Sequence, residues 1–214
     1  MFTGIVEHLG TVSSLEHTRE GGRLVVRAPE VVPSLAIANS IAVNGCCLTV
    51  VEISGETFVA DLSGETLART AFREMRAGRR VNLERPLTAG KEFGGHFVQG
   101  HVDGIGRVVR LTPEGENWWC SVRVPDEIAR YVAMKGSVAI DGISLTVAGW
   151  DAGILDVAII PFTYRHTNIC ELGPGDPVNV ECDVLAKYVE RLLDARNIPA
   201  PGRLTVARLA KEGF

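Results

Sequence analysis

Two stretches of this 214-residue chain repeat one another without a gap. SIAVNGCCLTVV (Ser40 to Val51) aligns on SVAIDGISLTVA (Ser137 to Ala148) at an offset of 97 residues, with six of the twelve positions identical. The same offset takes Thr66 to Thr163, Thr70 to Thr167, Glu74 to Glu171, Gly78 to Gly175, Val81 to Val178, Asn82 to Asn179 and Glu84 to Glu181. At an offset of 96, TGIVEHLGTV (Thr3 to Val12) falls on QGHVDGIGRV (Gln99 to Val108). A tandem duplication restricts the chain to two copies of one small fold.

Within each copy the local signals are those of strands. Arg23 to Arg27, Ile41 to Val43, Leu48 to Ile53, Thr57 to Leu62 and Val81 to Glu84 are short, rich in β-branched residues and separated by Gly, Asn or Asp. Helical periodicity is scarce, so the expected class is all-β: two tandem Greek-key barrels, since closing a sheet hides its edges. Residues 1–86 form the first barrel and 87–182 the second, with the Pro- and Gly-containing stretch Arg85 to Gly95 as the linker. After Asp183 the period changes. Val184, Leu185, Tyr188, Val189, Leu192 and Leu193 recur at helical spacing with charges between them, which predicts one amphipathic helix over 183–196. Both barrels already have their strands, so the apolar stripe either packs on its own barrel or meets another subunit. Residues 197–214 form a tail with no assigned role.

Hydrophobic residues make up 46% and charged residues 22%, which suits a packed core. The net charge of -4, without like-charge blocks, leaves no footprint for nucleic acid or a membrane surface, and the expected partner is a small molecule. No apolar run reaches the ~18 residues of a membrane span and the start lacks signal-peptide character, which reads as cytoplasmic. The five cysteines lack CxxC spacing, which argues against both a disulfide framework and a zinc site.

The repeat also compares chemistry between the copies. After the NG and DG turns, alternation puts residues 47 and 49, like 144 and 146, on one face. Each copy keeps a hydroxyl at the later position, Thr49 and Thr146; the earlier one is a thiol in Cys47 and a hydroxyl in Ser144. The opening turns differ likewise, with Ile5 in one and His101 in the other. Buried Cys and Thr are more often core residues than reactive ones. His96 and His101, five apart, would lie on opposite faces of a strand, against a metal pair. His101 is singled out because it lies in a paired glycine motif and can exchange a proton near neutral pH.

MFTGIVE, NGCCLTV, GGHFVQGHVDG, DGISLTV and NVECDVLAKYVERLL, in this order, resemble the α-chain-type riboflavin synthase family from Met1 to about Leu193. The resemblance implies dismutation of two 6,7-dimethyl-8-ribityllumazine molecules to riboflavin and 5-amino-6-ribitylaminouracil by four-carbon transfer, the last step of riboflavin biosynthesis. It implies no cofactor and no metal. It further implies a homotrimer held by C-terminal helices, with each site between the first barrel of one subunit and the second barrel of its neighbour.

Carried over residue by residue, one pocket takes Gly4, Ile5 and Val6, then Cys47, Leu48 and Thr49, then Asp61, Leu62, Ser63, Gly64, Glu65 and Thr66. The other takes Gly100, His101 and Val102, then Lys135, then Ser144, Leu145 and Thr146, then Ala158, Ile159, Ile160, Pro161, Phe162 and Thr163. Apart from Lys135, whose counterpart is Ala38, these segments are translates of one another by 96 or 97 residues. Phe2, Thr3, Ser40 and Asp183 match family positions near the reacting centres. Phe162 departs from the pattern, standing where an acidic residue is expected. The implied catalytic set is His101, Ser144, Thr146, Cys47 and Ser40. A hydroxyl such as that of Ser40 or Ser144, or a water, would add to C7 of the donor, and His101 would move a proton.

Three other readings compete. A non-catalytic lumazine- or flavin-binding relative would carry a degraded second motif, whereas GHFVQGHVDG and DGISLTV are intact. A flavin reductase would need a following nucleotide-binding domain. A purely structural barrel leaves two polar faces at one offset unexplained.

Overall fold

Alternation and bulges together build the strands. In β4 (Cys46–Ser54) Cys46, Leu48 and Val50 are buried while Thr49 is exposed, and a bulge after Val50 shifts the phase so that Ile53 rejoins the core. The computed structural model describes residues 1–196. Its first six strands are β1 (His8–His17), β2 (Gly21–Arg27), β3 (Ser40–Val43), β4, β5 (Thr57–Ser63) and β6 (Arg80–Glu84). They close into a barrel in the order β1-β2-β5-β4-β3-β6, with β6 bonded back to β1.

The second six are β7 (Gly104–Glu114), β8 (Asn117–Arg123), β9 (Ser137–Ile140), β10 (Ile143–Asp151), β11 (Ile154–Ile159) and β12 (Pro177–Cys182), closed in the same order. Each expected strand is present within two residues of its sequence bounds. Two six-residue helices were not legible as helices: α1 (Gly64–Arg69), capped by Ser63, and α3 (Pro161–His166), opened by a proline. Between them in chain order comes a single turn, α2 (Asp126–Ala129).

Each barrel has its own apolar core. A third cluster joins them, in which Phe2 and Val98 pair their backbones over Ala42 and Ala139. The contacts are reciprocal, as in a two-fold dimer. Gly45 and Gly142, both in left-handed turns (φ +74 and +76), lie back to back: a Cβ on either would come within 2.6 Å of the other's amide nitrogen. Asn82 donates to the carbonyl of Asp141 and Asn179 to that of Asn44, at 2.9 and 2.8 Å. Arg79 pairs with Asp176 at 3.3 Å, and Arg80–Glu171 and Arg107–Glu74 also bridge the barrels. These pairs are partly solvated and add little beside the buried amides.

The helix expected after Asp183 is α4 (Val184–Arg196). The chain divides into two compact units after Val184. On α4, Leu185, Tyr188, Val189, Leu192 and Leu193 are each more than half exposed. Residues 197–214, the expected tail, lie outside the described residues. Among the described residues no helix is long and apolar enough to cross a membrane.

Candidate functional site

Two buried carboxylates set the backbone of the site. Glu84, at the end of β6, accepts from the Thr3 amide at 2.7 Å, the Thr3 hydroxyl at 2.8 Å and the Gly4 amide at 3.0 Å. Its repeat partner Glu181, at β12, accepts from the Gln99 and Gly100 amides at 2.6 and 3.0 Å. Burial raises the Glu84 pKa, and these hydrogen bonds offset part of the rise.

Each strap, held by the carboxylate of one barrel, docks on the other barrel. The Gly4 carbonyl accepts the Ser144 amide at 2.7 Å, and the Gly100 carbonyl accepts that of Cys47 at 2.8 Å. Glycine is required at both points: a Cβ would lie 2.7 Å from the Ser144 Cβ or 2.6 Å from the Cys47 Cβ, and φ is +75 and +81. Val6 accordingly packs on the second core and Val102 on the first.

This exchange corrects the grouping expected from sequence. Gly4, Ile5 and Val6 stand with Ser144, Leu145 and Thr146, not with Cys47. Gly100, His101 and Val102 stand with Cys47, Leu48 and Thr49. The cause is the crossing of the straps at the two-fold, which a gapless alignment of the copies does not contain.

Within β4 and β10 the expected faces hold. Cys47 is half-buried and Thr49 exposed, as are Ser144 and Thr146, while Cys46 points into the core, where burial pushes its thiol up to about 12. Leu48 is buried and Leu145 half-buried. Ser40 pairs across the strand with Thr49 and opens on a cavity of about 370 Å³ lined also by Asn39, Arg85 and Lys91. A larger cavity, about 570 Å³, is lined by Arg73, Arg76 and Arg79 and touches none of the candidate residues. Lys135 and Ala38 both adopt a left-handed backbone, φ 64 and 70, and Lys135 is exposed.

The rim segments also take matching backbones. In the first copy Leu62 is buried, Asp61, Ser63, Gly64 and Glu65 are exposed, and Thr66 is half-buried with its amide on the Ser63 hydroxyl. In the second, Ile159 is buried, Ala158, Ile160 and Phe162 are exposed, and Pro161 and Thr163 are half-buried.

His96 and His101 do not lie on a strand. Both lie on the strap between the barrels, His101 exposed and His96 buried. The His96 Nδ1 is 2.7 Å from the Ser144 Oγ, and its Nε2 is buried without a protein partner. Burial lowers the His96 pKa, against a smaller opposing effect of Asp183. A buried neutral imidazole on a serine hydroxyl is a base–hydroxyl pair. Sequence reasoning missed it: His96 has no histidine counterpart, and only the fold brings it 48 residues along the chain to Ser144. Among the described residues no three His, Cys, Asp or Glu side chains cluster as a metal site.

Comparison with known proteins finds the same duplication. The lumazine binding domain family matches the chain twice, over residues 3–86 and 99–183. The riboflavin synthase of Mycobacterium bovis is 47% identical over 198 residues, 90% of this chain and 98% of that protein. Those of Actinobacillus pleuropneumoniae and Bacillus subtilis are 39% and 34% identical over the whole of both chains. Among solved structures, LumP complexed with 6,7-dimethyl-8-(1'-D-ribityl) lumazine superposes with a TM-score of 0.78 at 27% identity, covering 85% of this chain and 99% of LumP. Its complex with riboflavin gives 0.81.

Proposed function

The chain belongs to the riboflavin synthase family, and from that membership we propose that it joins two molecules of 6,7-dimethyl-8-ribityllumazine. A four-carbon unit passes from one to the other, giving riboflavin and 5-amino-6-ribitylaminouracil. One observation carries this reading: two half-sites share a backbone and differ in reactive groups, which suits a reaction giving two copies of one substrate different fates. Cys47, Thr49, Ser40 and His101 serve one half-site. Ser144, Thr146, Lys135 and His96 serve the other.

In this reading the Ser144 Oγ adds to C7 of the donor as its proton passes to the His96 Nδ1, 2.7 Å away; the C7–O bond breaks again as the four-carbon unit is transferred, and the proton returns to the hydroxyl. His101 takes the proton from the acidic C7 methyl of the acceptor. The carbanion is delocalised into the substrate's own ring, so the protein chiefly holds two large rings in reacting geometry, a contribution that can reach ~7 to 11 kcal/mol. The reaction needs no redox partner because the two substrates exchange only the carbon unit.

The exposed stripe of α4 supports assembly as a homotrimer, with the half-site of one subunit facing the complementary half-site of the next, in the cytoplasm. Light scattering of the chain cut before Asp183 tests the assembly: a monomer with little activity is expected, and an intact trimer would remove the role of α4.

The reaction is tested by following riboflavin absorbance from the lumazine alone, in chelator. Full turnover is expected; activity lost in chelator and regained with zinc would refute the cofactor-free scheme. His96→Gln keeps a hydrogen-bonding group on Ser144 but cannot take its proton. We expect kcat to fall about 10² to 10⁴-fold. The contribution of His96 to the acidic limb of the wild-type pH–rate profile, set below the ordinary histidine range by its burial, should vanish with it. A variant within threefold of wild type would assign the base elsewhere.

A further inference from the structure

The two half-sites share a backbone but are rimmed by opposite chemistry. In the first barrel β2 and β5 pair Arg23 with Asp61, and the guanidinium lies 3.2 Å from the carboxylate. The equivalent residues on β8 and β11 are Trp119 and Ala158, paired in the same register. These pairs border the reactive face: Asp61 follows Ala60, the partner of Val50 next to Thr49, and Ala158 follows Val157, the partner of Val147 next to Thr146.

The following helix changes in the same sense. On α1, Glu65 and Arg69 form an ion pair at 3.0 Å. On α3, at an offset of 97, Phe162 and His166 stack with centroids 4.0 Å apart and planes 17° from parallel. The His166 Nδ1–H donates to the Phe162 carbonyl at 2.8 Å, which holds the imidazole against the phenyl ring. On the same helix Tyr164 stacks on Trp118 at 3.8 Å and 5°, both packed on the second core. The first copy has only Gly22 beside Leu67 there.

We propose that Trp119 and the Phe162–His166 stack determine specificity in the second half-site by packing on the flat heteroaromatic part of its ligand, where the first half-site offers ion pairs. This rests on the reading of the chain as a lumazine-converting enzyme. Four observations favour it over an incidental surface patch. Phe162 is 63% exposed although large and apolar. It lies in the segment that carries Thr163, whose counterpart is Thr66 of the first pocket. The helix that carries it is fixed on the barrel by Trp118 and Tyr164, which stack on one another and pack on the second core. And its repeat partner Glu65 shows that the fold itself does not require an aromatic residue there. A planar ligand gains from such a platform through dispersion and ring electrostatics, whatever its hydrogen bonds.

The test is the full-length double variant Phe162→Glu with His166→Arg, which rebuilds on α3 the ion pair that α1 carries. Riboflavin is titrated by its fluorescence quenching, and lumazine turnover is followed alongside. One class of riboflavin sites should weaken about tenfold, or about 1.4 kcal/mol, and the KM for lumazine should rise by more than kcat falls. Phe162→Tyr, which keeps the ring, should restore riboflavin binding to within about twofold. Unchanged titration and KM in the double variant would overturn the proposal. If the double variant does not fold, Phe162→Leu carries the same comparison, because it keeps an apolar group and removes the ring. Failure of the unaltered chain to convert the lumazine would instead overturn the reading on which the proposal rests.

Discussion

Gly45→Ala is expected to destabilise the protein by roughly 2 to 5 kcal/mol, combining the cost of a left-handed backbone with that of overpacking. At φ +74, the new Cβ would sit 2.6 Å from the amide nitrogen of Gly142 and 2.8 Å from its Cα, both backbone atoms that cannot swing aside. The collision lies at the two-fold, so relief requires the barrels to move apart, taking the Gly4–Ser144 and Gly100–Cys47 contacts with them. Gly55→Ala provides the comparison, because φ is +57 but nothing lies within 4 Å of the new atom. It should cost only about 1 to 2 kcal/mol. Urea denaturation of both variants checks the difference; equal losses would mean that the turn-on-turn contact does not hold the barrels together.

The second large effect concerns the buried amides. Asp141 occupies the position of Asn44, and Asn168 that of Ala71. The Asp141 carboxylate accepts from the Asn179 amide at 2.8 Å and from the Asn168 side chain at 2.7 Å. Burial, only partly countered by these bonds and by Arg79, raises its pKa from 3.8 to about 6. An acid whose folded pKa is raised favours the fold fully below its unfolded pKa. That advantage is lost as pH rises from about 4 to about 6, by on the order of 3 kcal/mol.

Asn168→Ala removes a donor from the buried carboxylate and should cost about 3 kcal/mol at pH 8, less at pH 5 where the carboxyl is largely neutral. Adding Asp141→Asn recreates the Asn44–Ala71 arrangement of the first copy. It should recover most of that loss and flatten the pH dependence between 4 and 6. Denaturation of both variants at the two pH values measures the coupling. A double variant as unstable as the single one, with the pH slope intact, would show that this pair does not carry the term.

The legible part of the fold was local. The β-branched content of Leu48 to Ile53 or Thr57 to Leu62 is read from neighbours in sequence alone, and both segments are strands. The short helices α1 and α3 escaped because six residues are too few for a 3.6-residue period to rise above the strand pattern around them. The exchange of straps escaped for another reason: the Gly4 and Gly100 motifs announce left-handed turns but not the surface on which they rest.

His96 marks the same division at the site. Sequence spacing said only that on a strand it would face away from His101, which argued against a metal pair. On the strap it is buried against Ser144, because Gly95 lets the backbone approach to where its own Cβ would be 3.2 Å from the Ser144 Cβ. Duplication, strand pattern and the alternation that separates Cys46 from Cys47 were properties of the sequence itself, since each is set within a few residues or by comparing one copy with the other. Which half of the chain meets which reactive side chain was decided only by tertiary structure, because it depends on two barrels docking across a two-fold and on buried Glu84 and Glu181 holding each strap at the point of crossing.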